Sequence, residues 1–215
     1  LKSELLNAYR ANATVGAYAP DAADSGKRAV KNTALAYLSL LDDTLARQQY
    51  YSATQMTDKD AAVRVFAGKN TPEAEAITDD FYQTYKKDSL VVDKWLSMQA
   101  LAGENALPTV RKLLKHESFS PTNPNKVRAL IGAFAANQTA LHKSDGSGYD
   151  FIVEQTLAID KINPQIAAAI PAPLGKWKKF DAKRRSLMKD ALTRILNAPD
   201  LSPNTYEIVS KSLKE

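Results

Sequence analysis

The stretch VKNTALAYLSLL, residues 30–41, decides the fold class, because its apolar residues recur at helical spacing. Val30, Ala34, Tyr37, Leu38 and Leu41 occupy positions i, i+4, i+7, i+8 and i+11. That spacing places side chains on one face of an α-helix. Similar stripes recur along most of the chain, and no comparable run alternates strictly between apolar and polar residues. The sequence therefore predicts helices throughout and no substantial strand.

Four of the predicted helices share one start signal, a capping side chain directly before a proline. The pairs are Thr71-Pro72, Asn123-Pro124, Asn163-Pro164 and Ser202-Pro203. The cap oxygen accepts a hydrogen bond from a free amide, and a proline at the first helical position forfeits none. The last three prolines are 40 and 39 residues apart, close to the length of one helix pair in a repeat protein.

These signals predict an all-α fold in which irregular antiparallel helical hairpins stack as an α-solenoid, an ARM/HEAT-like superhelix. Residues 1–215 are expected to form a single helical domain. Further caps are expected from Asp181 and Thr57 at helix starts, and from Gly68 and Gly103 after helix ends.

One loop, residues 144–149 with the sequence SDGSGY, combines two glycines with short polar side chains. The first interpretation is a tight turn that needs a positive φ, followed by a helix that Ser147 caps. The alternative is a nest of backbone amides that binds an anion. Turn chemistry favours the first.

Composition excludes several function classes. The 215 residues include no cysteine and two histidines, His116 and His142. Disulfides, thiolate metal sites, a cysteine nucleophile and a His-Glu-x-x-His zinc motif are therefore excluded. No apolar run approaches the roughly 18 residues that span a bilayer, so no membrane partner is expected. The absence of cysteine favours a cytoplasmic location, and the opening at Leu1 without a methionine suggests that the chain continues upstream.

Residues 176–194 are strongly basic. They hold eight lysines and arginines against Asp181 and Asp190, a net charge of +6 within a chain of net charge +5. Trp177 and Phe180 lie among the lysines, an arrangement that nucleic-acid surfaces use for stacking. The favoured interpretation is a solvated face with both rings turned inward, because no nucleic-acid-binding motif accompanies the charge. No nucleic-acid partner is therefore expected. No catalytic or metal-ligating residue is predicted, because neither histidine has an evident partner for base catalysis.

The chain resembles the C-terminal helical domain of the bacterial-type aminopeptidase N family of zinc metallopeptidases. The likeness is carried in order by SLVVDKW (89–95), SPTNPNKVRALIGAF (120–134), HKSDGSGY (142–149), NPQ (163–165) and KFDAKR (179–184). It covers most of residues 25–215 and is strongest from Ser89 onward.

The resemblance implies a fragment of a larger enzyme whose zinc, zinc ligands and general base belong to a separate thermolysin-like catalytic domain. This part would have no cofactor of its own, would close over that catalytic domain, and would gate peptide access to the cavity. By the same likeness Asn163 and Gln165 would line the substrate cavity, and Gln165 would project toward the peptide substrate. The family often has an arginine four residues after that glutamine, where this chain has Ala169. The rival hypothesis is a free-standing helical-repeat module that binds a peptide or nucleic acid.

Overall fold

The computed structural model of the chain describes residues 1–14, 16 and 18–214. Within these ranges every regular element is helical and no strand occurs, which confirms the all-α prediction. The α-helices are Lys2–Ala11 (α1), Ala22–Leu38 (α2), Thr44–Ser52 (α3), Met56–Phe66 (α4), Pro72–Tyr85 (α5), Ser89–Ala100 (α6), Ala106–Leu113 (α7), Pro124–Val127 (α8), Ala133–Ala136 (α9), Gln138–Leu141 (α10), Ser147–Asp160 (α11), Pro164–Ala167 (α12), Ala182–Leu196 (α13) and Pro203–Lys214 (α14). A π-helical turn, Arg128–Gly132, joins α8 to α9, and a 3-10 helix spans Ala172–Lys179.

The described residues divide into two compact units, one before and one after the bond between Gln83 and Thr84. In the first unit, α1 packs on α2, and both α2 and α3 pack on α4. Its largest fully buried side chains include Leu35, Tyr50, Phe66 and Phe81. Burial of such side chains is the main source of stability for amphipathic helices.

The second unit is centred on α11, which packs against α12 and α13. The 3-10 helix and α14 pack in turn on α13, and α6 packs on α7 and on the π-helical turn. Phe134 and Phe151 meet edge to face in this core, with ring centroids 4.8 Å apart. This core fixes the positions of the loops and short helices that carry the predicted site residues.

The start signals read from the sequence are confirmed at each of the four prolines. The Thr71 hydroxyl accepts from the Ala74 amide at 3.2 Å, and the side-chain Oδ1 of Asn123 accepts from the Asn125 amide at 2.9 Å. Equivalent cap bonds start α12 and α14. Asp181 caps α13 as predicted, by accepting from two amides at 3.1 Å. Gly68 directly follows the C-cap of α4 with φ of 77°, as expected for a C-terminal cap. Gly103 also has a positive φ, 72°, but lies two residues beyond Leu101, the C-cap of α6.

Two predicted caps are wrong. Thr57 lies inside the first turn of α4, because the backbone of Gln55 is extended (φ −111°, ψ 138°) and places the helix boundary before Met56. Ser147 is already the first residue of α11, and Gly146 occupies the cap position. The Ser147 amide donates to the carboxylate of Asp145 at 3.0 Å. The carboxylate of Asp145, two residues earlier, thus takes the hydrogen-bonding role that was expected of the Ser147 side chain.

The apolar stripe in residues 30–41 is only partly buried in the core. The helix α2 ends at Leu38, so Leu41 lies beyond it. Ala34 and Leu38 are buried, whereas Val30, Tyr37 and Leu41 are exposed. Helical spacing correctly predicted the element, but only part of the stripe is covered by other helices.

Candidate functional site

Asn163 and Gln165, the two residues expected to line a substrate cavity, lie at the start of α12. The Asn163 side chain accepts from the Ile166 amide at 3.2 Å, so its carbonyl oxygen is engaged in capping. Gln165 is exposed on the first turn, and Ala169, one helical turn further on, is exposed as well. The amide group of Gln165 is therefore the polar side chain that this segment presents at the surface.

The position of α12 is fixed by its surroundings. Ile166 and Ala167 are buried, and α12 packs on both α11 and α14. The Asn163 amide donates to the Ile159 carbonyl at 2.8 Å, which ties the start of α12 to the end of α11. The backbone that carries this exposed side chain is therefore held in place by the packing of α12.

The loop at residues 144–149 is a tight turn whose two glycines serve different purposes. Gly146 has φ of +81°, the left-handed region that glycine adopts without strain. Gly148 has ordinary helical geometry, but a Cβ there would lie 2.4 Å from the carbonyl oxygen of Leu141. The second glycine therefore lets α11 start directly against the backbone at the end of α10. This supports the turn interpretation of the loop.

Around this loop the structure brings together two of the motif segments. His142 is buried and its Nδ1 lies 2.9 Å from the hydroxyl of Tyr149, across the turn. The ring of Phe180 stacks on the His142 ring, with centroids 4.2 Å apart. Arg184 donates from Nε to the backbone carbonyl of His142 at 2.7 Å and pairs with Asp181 at 2.8 Å. The HKSDGSGY and KFDAKR segments thus form one packed cluster.

The electrostatics of this cluster favour the neutral forms of His142 and Tyr149. Burial lowers the pKa of His142, and the nearby positive charge of Arg184 adds to that effect. Burial also raises the pKa of the Tyr149 hydroxyl. The neutral His142 imidazole is packed between the rings of Tyr149 and Phe180 and contributes to the packing of this unit.

Beside His142 the second unit has a surface pocket of about 350 Å³. Its polar lining comes from Gln138, His142 and Lys176, and the remaining lining is apolar. Neither Asn163 nor Gln165 lines this pocket. No local sequence pattern indicates this pocket, because its lining residues in α9 and in the 3-10 helix are about 40 residues apart in the chain and share no motif.

The segment that starts at Asn123 has a mainly structural role. Lys126 is buried, pairs with Asp93 at 2.7 Å, and also donates to the Ser89 carbonyl at 3.1 Å. These bonds hold α8 against the start of α6. The exposed Arg128 begins the π-helical turn and points its guanidinium toward the side chain of Asn125, at 3.4 Å.

In the basic segment, residues 176–194, both aromatic rings are engaged in packing. Trp177 is buried, and its indole Nε1 donates to the Ser212 carbonyl at 2.9 Å. The ammonium groups of Lys178 and Lys189 lie 5.3 and 4.8 Å from the centre of the Trp177 ring. Phe180 stacks on His142. This arrangement agrees with the inward orientation favoured from the sequence.

Over the residues that the structure describes, no three histidine, aspartate or glutamate side chains converge as ligands for a metal ion. The described side chains therefore do not fit a zinc site, and no reaction step through zinc can be derived from them. No helix in the described ranges is long and apolar enough to span a membrane.

Comparisons with known proteins identify the domain. A family model described as "Domain of unknown function (DUF3458_C) ARM repeats" matches residues 1–214, in agreement with the predicted ARM-like class. Aminopeptidase N of Escherichia coli strain K12 is 38% identical over 219 residues, which cover 99% of this chain and 25% of that protein. Aminopeptidase N of Haemophilus influenzae is 35% identical, over 100% of this chain and 25% of that protein.

A solved structure agrees with these matches. The crystal structure of Legionella pneumophila aminopeptidase A in complex with aspartic acid superposes with a TM-score of 0.89 and 30% sequence identity. The match covers all of this chain and 27% of the Legionella chain. The chain thus spans about a quarter of the length of these relatives.

Proposed function

Because the chain belongs to the DUF3458_C family of ARM-repeat domains, we propose that residues 1–215 are the C-terminal helical domain of a zinc-dependent aminopeptidase. In this proposal the chain encloses the cavity of a catalytic domain in the same polypeptide and gates peptide access while N-terminal residues are removed. The zinc and the catalytic groups belong to that catalytic domain, and the proposed location is the cytoplasm. The observation that carries the proposal is the match of the entire chain to one quarter of two aminopeptidase N proteins.

The placement of Gln165 supports a contact with substrate. Its side chain is exposed on the first turn of α12, and the buried Ile166 and Ala167 hold that turn in place. An amide group can donate to and accept from a peptide backbone, so Gln165 would bind the part of the peptide that follows the scissile bond. Asn163 would contribute indirectly, because its side chain caps the helix that positions Gln165.

The test is the substitution Gln165→Ala in the full-length enzyme, assayed with two kinds of substrate. Tetrapeptides extend beyond the scissile bond, whereas amino-acid p-nitroanilides have no peptide there. We expect kcat/KM for tetrapeptides to fall about 3- to 10-fold, which corresponds to the loss of one hydrogen bond of about 1 kcal/mol. We expect kcat/KM for p-nitroanilides to remain unchanged.

The matched control is Gln48→Ala, since Gln48 is an exposed glutamine on α3. This control should leave both activities unchanged. Equal kcat/KM values for Gln165→Ala and the wild type across several tetrapeptides would contradict the proposed contact between Gln165 and the peptide substrate. Absence of any aminopeptidase activity in the full-length protein would reject the proposed function itself.

A further inference from the structure

The pocket beside His142 has the composition of a small-ligand site. Its walls are formed by Ala135, Ala136, Ala172, Pro173 and the ring of Phe180. Its volume of about 350 Å³ lies within the range of small-molecule pockets, which are mostly apolar with a few converging polar groups. The small side chains of the three alanines leave this space open. The pocket thus offers mainly apolar walls against which a small organic molecule can pack.

His142 supplies a hydrogen-bond donor to this pocket. Its Nδ1 lies 2.9 Å from the Tyr149 hydroxyl. Burial raises the pKa of that hydroxyl, so the phenol keeps its proton at neutral pH and can donate it to Nδ1. In a neutral imidazole the other nitrogen, Nε2, then carries the hydrogen. Among the described residues no bond to Nε2 is found, and His142 itself lines the pocket with 9% of its surface exposed. A nearly buried polar group is therefore left for a ligand.

Lys176 and Gln138 provide the remaining polar groups. Both are exposed at the edge of the pocket, and no ion pair of Lys176 occurs among the described residues. The surrounding basic segment, residues 176–194, carries a net charge of +6. A pocket with a cation, a neutral N–H donor and no carboxylate in its lining is complementary to an anion.

We propose that this pocket binds a small carboxylic acid with a compact aliphatic body. The carboxylate would accept from His142 Nε2 and pair with the Lys176 ammonium, while the aliphatic part would pack between the alanines and Phe180. The mostly apolar walls favour an organic acid over inorganic phosphate, whose four polar oxygens would be left without partners. This proposal does not depend on the proposed peptidase function.

The test compares 4-methylpentanoate with 4-methylpentanamide, two probes of similar shape that differ in charge. We expect isothermal titration of the purified protein to give a Kd of roughly 1 mM for the acid, a typical affinity for a ligand of this size. The amide should bind at least about tenfold more weakly, because it lacks the ionic contact with Lys176. Titration with Gly-Gly-Leu and its C-terminal amide then shows whether a peptide terminus is accepted in place of a free acid.

Three variants locate the binding. Lys176→Gln should weaken binding of the acid about 3- to 10-fold, whereas Lys183→Gln should not, because Lys183 is an exposed lysine of the same segment outside the pocket lining. Ala136→Leu, at an exposed wall position, should fill the pocket and abolish binding. The proposal is overturned if acid and amide bind equally or not at all, if the two lysine variants behave alike, or if Ala136→Leu binds normally.

Discussion

At the scale of single residues, Gly148 has no room for a side chain. A Cβ at this position would lie 2.4 Å from the Leu141 carbonyl oxygen and 2.8 Å from the Leu141 Cα. Both contacts are to backbone, so no side chain can move aside to accept a methyl group. The start of α11 and the end of α10 would have to separate, and the hydrogen bond between His142 and Tyr149 spans that junction.

We therefore predict that Gly148→Ala lowers the free energy of unfolding by about 1–3 kcal/mol, the usual cost of overpacking. Urea denaturation followed by circular dichroism measures this change. The control is Gly26→Ala, at an exposed position inside α2 where an added Cβ meets nothing within 4 Å. That substitution should stabilise the protein by about 0.5–1 kcal/mol. A Gly148→Ala variant as stable as the wild type would contradict the close approach.

The two glycines of this loop also differ in how well the sequence predicts their structural roles. Gly146 was predictable, because a short Asp-Gly-Ser turn requires a positive φ that depends on local chain geometry alone. The requirement at Gly148 comes from a backbone segment that packs against it in space. The error at Ser147 is local instead, because the carboxylate of Asp145, two residues earlier in the loop, accepts from the Ser147 amide.

At the scale of elements, Asp160 joins two helices that are far apart in sequence. It is the buried last residue of α11, and its carboxylate accepts from the Ser202 amide, the Ser202 hydroxyl and the Thr205 hydroxyl at 2.8, 2.6 and 2.5 Å. Ser202 in turn caps α14. One carboxylate thus fixes the end of α11 to the start of α14.

Burial alone would raise the pKa of Asp160, but the hydrogen bonds from Ser202 and Thr205 outweigh burial and hold the pKa below its ordinary value of 3.8. A carboxyl whose pKa is lower in the folded state stabilises the protein above its unfolded pKa. That contribution is lost as the pH falls below about 3.8 toward the folded pKa. The stabilising effect of Asp160 should therefore be complete at neutral pH and absent in strong acid.

We predict that Asp160→Asn lowers the free energy of unfolding at pH 7 by about 2–3 kcal/mol, since hydrogen bonds to a charged group are replaced by weaker ones. The difference between wild type and variant should shrink as the pH falls below about 3.8. Urea denaturation of both proteins at a series of pH values from 7 to 2.5 measures this difference in the free energy of unfolding. Asp79→Asn, at an exposed position on α5, should change stability by less than about 0.5 kcal/mol. A difference that stays constant with pH would contradict the role of the ionised carboxylate.

The sequence predicts the starts of helices better than it predicts contacts between residues that are distant in the chain. The proline starts were predictable because a cap and its amides lie within three residues, as at Asn163 and Ile166. The contact between Asp160 and Ser202 joins residues 42 apart, and no local pattern indicates it. The candidate pocket is similar, because His142 and Lys176 come together only through the packing of the second unit.

At the scale of the whole molecule, the positive charge is concentrated in one segment. Residues 176–194 carry a net charge of +6, so the rest of the chain carries −1. Such a segment attracts polyanions through long-range electrostatics that salt screens. Recognition of a nucleic acid would also need accessible rings for base stacking. Trp177 and Phe180, the aromatic residues of this segment, are instead engaged with Ser212 and His142.

We therefore predict that a ten-residue oligothymidylate and polyglutamate of similar charge bind the protein equally weakly at low salt. Both should dissociate by about 0.2 M salt, because only phosphate or carboxylate contacts would contribute. Both tryptophans, Trp95 and Trp177, are buried, so neither polymer should quench tryptophan fluorescence by stacking. Fluorescence titration with each polymer at increasing salt measures binding and quenching together. Quenching by oligothymidylate that polyglutamate does not reproduce, and that survives 0.2 M salt, would instead favour a nucleic-acid-binding module over a domain that serves an aminopeptidase.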